Sequence, residues 1–136
     1  MKKMKTAFTL VETLIAVFIL SMGIMGILAM FPIGVQVEKS AQILTAANQL
    51  AQAKIEENIS KSYNEVITGT TTEEYGSISE FPYFKIITRI NYYDPLTSTI
   101  TNGDLGIKKI EVSIFWKSPL GSSEKNTKLE SLISRR

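Results

Sequence analysis

At 136 residues the chain has room for one modest domain plus an anchor. With no cysteine it has neither a disulfide framework nor a thiolate metal site. With no histidine it lacks the commonest general base, and its formal charge of +2 gives no reason to expect a nucleic-acid partner.

Three of the positive charges, Lys2, Lys3 and Lys5, stand at the start, so the rest of the chain is slightly acidic. After them, from Thr13 to Val37, no residue is charged. A bilayer core needs about 20 apolar residues in a helix, and this run is long enough to span it. It exceeds the apolar region of a secretory signal and lacks an A-x-A-like ending. Lysines before the run, with no basic cluster after it, predict a cytoplasmic N terminus and the bulk of the chain outside.

One residue does not fit a passive anchor. Glu12 opens the apolar run, and an ionised acid inside a spanning helix costs about 2.5 to 3.5 kcal/mol when central and less near an end. Such a group calls for a cationic partner, and no side chain from Phe8 to Val37 is cationic. A new α-amino group, made by cutting before Phe8, would lie about one helical turn from Glu12 of its own chain and could also meet Glu12 of a neighbouring copy.

The stretch "KTAFTLVE" resembles the processing motif of type IV prepilins and of the pseudopilins of type II secretion. The resemblance implies a basic leader at 1–7, cleavage between Ala7 and Phe8 by a prepilin peptidase, N-methylation of Phe8, and an assembly role for Glu12. Ala7 stands where that family usually has glycine. The later stretches "ILSMGIMGILAM", "LAQAKIEE" and "IKKIEVSIFWKSPLG" look closest to minor subunits, either type IV pilus modification proteins or I-type minor pseudopilins. The implied function is a structural subunit that primes or caps a pilus or pseudopilus, with no catalytic residues and no cofactor. Its implied partners are other pilin subunits, the peptidase, an inner-membrane assembly platform and the bilayer. Its implied location is the bacterial inner membrane and then the filament. The alternatives are a major fibre-forming pilin and an unprocessed, single-pass binding subunit.

The residues divide the chain into the leader (1–7), a transmembrane and assembly helix (8–37) and a soluble head (38–136). Small residues at Ser21, Gly23, Gly26 and Ala29 suit close helix packing in lipid, though glycine is also simply common in membrane helices. Pro32 has no N–H and clashes with the carbonyl of Leu28, so with Gly34 it predicts a bend or a melted turn at 28–34. Helical periodicity then resumes over 38–61, where Val37, Ala41, Leu44, Ala47, Ala51 and Ile55 form an apolar stripe widened by Ile43, Leu50 and Ile59.

Residues 63–80 are polar and read as a long surface connection. Strand-like alternation follows at 83–93, 107–117 and 127–134, with Ile110, Val112, Ile114 and Trp116 sharing one face. Short links between them favour an antiparallel meander over sheet residues 82–134, covered by the amphipathic helix. The expected fold is therefore α+β and pilin-like, a long N-terminal helix on a small antiparallel sheet. Glu73–Glu74 reads as a solvated loop. Asn102 and Asp104 in "TNGDLG" read as hairpin-turn chemistry, although some pseudopilins hold calcium in such loops. No metal is expected.

Overall fold

The computed structural model describes residues 9–117 and 123–135. The leader, Ala7, Phe8 and residues 118–122 of the last connection lie outside the described residues. The chain divides into two compact units, Met1–Lys39 and Ser40–Arg136.

The first unit holds the N-terminal part of α1 (Leu10–Ile59). Its apolar residues have no cover from the chain itself, and Leu14, Phe18, Leu20, Ile24, Leu28 and Phe31 are all exposed. By length and composition α1 can cross a membrane. The expected melted turn at 28–34 is corrected here, because α1 runs helical through both Pro32 and Gly34. Proline removes a single donor, the one owed to the carbonyl of Leu28, and the flanking rungs of the ladder carry the helix across.

In the second unit, α1 packs on a five-stranded sheet made of β1 (Gly69–Glu73), β2 (Phe84–Asp94), β3 (Thr99–Thr101), β4 (Ile107–Lys117) and β5 (Glu124–Ser134). The path is β1-β2-β4-β5, with β3 also on β2, and every pairing is antiparallel. Strict alternation drives the two central strands. Phe84, Ile86 and Ile90 of β2 and Ile110, Val112, Ile114 and Trp116 of β4 point to one face and are buried. The register places Ile86 opposite Ile114 and Ile90 opposite Ile110. Burying each such side chain stabilises the head by about 1.5–3 kcal/mol.

Ala47 and Ala51 of α1 are fully buried against this face, with Ile55 beside them and Ile43, Ala46 and Leu50 partly covered. Alanine at both contact points lets the helix backbone approach the sheet closely, and leucine there would overpack it. The apolar stripe is shorter and rotated relative to expectation. Val37, Leu44 and Ile59 are exposed, because the sheet covers the helix only between Ile43 and Ile55.

Two further corrections concern strands. The polar connection at 63–80 contains β1, whose run of threonines is β-branched and suits an extended edge. The link after β2 contains β3, a three-residue strand pairing with Tyr92, Tyr93 and Asp94. The last strand starts at Glu124 rather than Thr127.

The outer face of the sheet is polar. Glu111 on β4 meets Arg89 of β2 at 3.1 Å and Lys128 of β5 at 3.3 Å, while Glu130 meets Lys109 and Lys128, each at 2.7 Å. Lys109, then Lys128, holds the Glu130 carboxyl at about 2. This lattice keeps the outer face in water, while α1 covers the inner one.

Candidate assembly and processing site

The first turn of α1 explains where the helix begins. Thr9 precedes it, and its Oγ1 accepts the main-chain N–H of Glu12 at 3.3 Å, while its carbonyl accepts that of Thr13 at 3.2 Å. Thr9 is thus the N-cap and Glu12 the third helical residue, the T-x-x-E spacing of a capping box. An acid in that position also opposes the positive end of the helix dipole. The reading of Glu12 as an oddity in an apolar run had overlooked this local role, although the spacing was legible.

Glu12 is exposed and, among the described residues, forms no ion pair with a side chain. Its carboxylate is therefore available to a cation from outside the described chain. Farther along, Ser21 Oγ donates to the carbonyl of Val17 at 2.7 Å, satisfying its hydroxyl within the helix. Gly23, Gly26 and Gly34 have nothing within 4 Å of where a Cβ would stand, so the chain itself makes no close approach at them.

A second constellation lies at the far end of the head. Lys108 is buried on the inner face, and its Nζ donates to the carbonyls of Tyr63 at 2.8 Å and Val66 at 2.7 Å. The ammonium lies 4.0 Å from the Tyr63 ring centroid. The Tyr63 hydroxyl donates to Asp104 Oδ1, which also accepts the N–H of Gly106 at 2.8 Å, and Arg135 pairs with Asp104 Oδ2. Gly106 adopts a φ of 83, a conformation that favours glycine, and its carbonyl accepts the N–H of Arg135 at 2.8 Å. Burial, then the Asp104 bond, pushes the Tyr63 phenol up to about 12. The bond from Tyr63, then that from Gly106, holds the Asp104 carboxyl below its usual range.

Both carboxylate oxygens of Asp104 are thus engaged by protein donors, and the loop 101–106 serves as a clasp joining the turn after α1 to the end of β5. Strand parity was the available signal for Lys108, which falls on the face of Ile110 and Val112. Glu73 pairs with Lys54 of α1 at 2.9 Å, and Glu74 is exposed. Among the described residues no group of three or more acidic side chains could hold a metal ion.

A long N-terminal helix packed on a small antiparallel sheet defines an α+β architecture consistent with the pilin-like fold. Residues 2–28 match the family model described as the prokaryotic N-terminal methylation motif. The chain carries that motif, which is typical of type IV prepilin-like proteins, and it supports a membrane-anchored protein of the pilin or pseudopilin type. No curated protein and no solved structure matches the chain.

Proposed function

We propose that the protein is a minor pilin or pseudopilin, a structural subunit that primes or caps assembly of a type IV pilus or a type II secretion pseudopilus. A prepilin peptidase cuts between Ala7 and Phe8 and methylates the new amine. The chain then waits in the bacterial inner membrane with its head outside, and joins other pilin subunits through an inner-membrane platform. No catalysis and no cofactor enter this role.

One observation carries the reading: a single carboxylate, Glu12, sits in the first turn of an uncovered apolar helix inside the matched methylation motif. In lipid that charge gains most from a cation delivered by a neighbour, and the amine of Phe8 is the one that processing creates. Removing the charge therefore affects assembly more than insertion. Glu12→Leu should insert in the membrane at wild-type level and be missing from sheared filaments. The wild-type protein should appear there in trace amounts, and a dominant band would instead make it the major subunit. Normal incorporation of Glu12→Leu would defeat the charge-pairing account.

A further inference from the structure

The sheet ends in two unpaired edges. One is the eleven-residue β5, and the other is formed by β1 with β3 beside it. The path β1-β2-β4-β5 has four strands that alternate in direction, so β5 runs opposite to β1. Two copies of the head in one orientation, placed side by side, therefore bring β5 of one antiparallel to β1 of the next with neither inverted. Two β5 strands could pair antiparallel only if one head were turned over.

The β5 edge is also shaped to receive a strand. A cavity of about 550 Å³ lies beside it, lined by Ile59, Tyr63 and Ile133, and a second of about 250 Å³ lies beside Tyr93 and Lys109. Both are lined by Leu132, whose side chain is 53 % exposed. Side chains of an added strand alternate between the two faces of a sheet and so would have a recess on each. Edge strands are commonly protected by projecting lysines, but Lys128 is drawn onto the outer face by Glu111 and Glu130. The β1 edge carries Gly69, Thr70, Thr71 and Thr72, with no charge before Glu73, which is bound to Lys54.

We propose that neighbouring copies of this chain join edge to edge, β5 of one pairing antiparallel with β1 of the next, to extend the sheet from head to head. The contact is heterologous, so it propagates instead of closing as a dimer. It rests on the reading of the chain as a membrane-anchored subunit, since a common anchor is what gives neighbouring heads one orientation.

Because the chain has no cysteine, disulfide mapping in the full-length protein in its membrane is unambiguous. Thr70 and Thr72 share the outer face with Glu130 and Leu132 through the registers of β1 with β2, β2 with β4, and β4 with β5. The double variants Thr70→Cys/Leu132→Cys, Thr72→Cys/Leu132→Cys and Thr72→Cys/Glu130→Cys span the registers. On oxidation at least one should give a ladder in steps of one chain mass, while each single variant stays monomeric. A dimer from Leu132→Cys alone would place β5 against β5 and overturn the proposal. So would the absence of a ladder from all three double variants in processed protein with wild-type circular dichroism. Mass spectrometry of the same sample separates this from failure of the underlying reading, which an intact leader would reveal.

Discussion

Replacing Lys108 by methionine tests the clasp, because it keeps the apolar stem and removes only the ammonium. In the wild-type head that ammonium serves two main-chain carbonyls, at 2.8 and 2.7 Å, and sits over the Tyr63 ring. A buried polar group left without its partner costs about 1–3 kcal/mol, so the two carbonyls together cost about 2–6 kcal/mol. The lost ring contact adds about 1 kcal/mol, and relief from burying a charge offsets part of the sum. The expected net loss is about 2–3 kcal/mol, which lowers the melting temperature of a head this size by roughly 10–20 °C. Near-ultraviolet circular dichroism of the detergent-solubilised chain during heating would measure it. A shift under about 3 °C would mean the carbonyls find other donors, and the clasp would then not hold the turn after α1.

Ile114 is fully buried opposite Ile86, and Ile114→Ala should destabilise the head by about 2–5 kcal/mol in urea unfolding, with m unchanged. Glu130 gives a pH prediction with a defined sign. Its folded value of about 2 lies below the unfolded 4.5, so its stabilisation is present above 4.5 and fades as pH falls toward 2. Glu130→Gln should flatten acid denaturation between those values, and an unchanged acid profile would show that the outer-face ion pairs contribute nothing there.

The sheet was legible wherever alternation was strict. In β4, Ile110, Val112, Ile114 and Trp116 recur at every second position, and the observed bounds of that strand coincide with the expected ones. The edge strand β1 was hidden because its stabilisation comes from pairing with β2, and its threonines bury too little to leave an apolar pattern. Tertiary reach decided the rest. Tyr63, Asp104 and Arg135 meet across long stretches of sequence, and no local pattern announces such contacts.

Helix continuity through Pro32 shows the opposite error, in which one missing hydrogen bond was given the weight of a chain break. Of the candidate site, Glu12 was found by its charge alone, while its capping partner Thr9 needed the T-x-x-E spacing to be read as helix-start chemistry. The expected cut between Ala7 and Phe8 lies outside the described residues, so chemistry must test it.

The most direct test is the intact mass of the protein purified from its native membrane, with sequencing of its first peptide. The account predicts a chain lacking Met1 to Ala7 that begins at Phe8 with one added N-methyl group. A chain that still begins with the unmodified lysine-rich segment would contradict it, leaving Glu12 without the amine on which its proposed role depends.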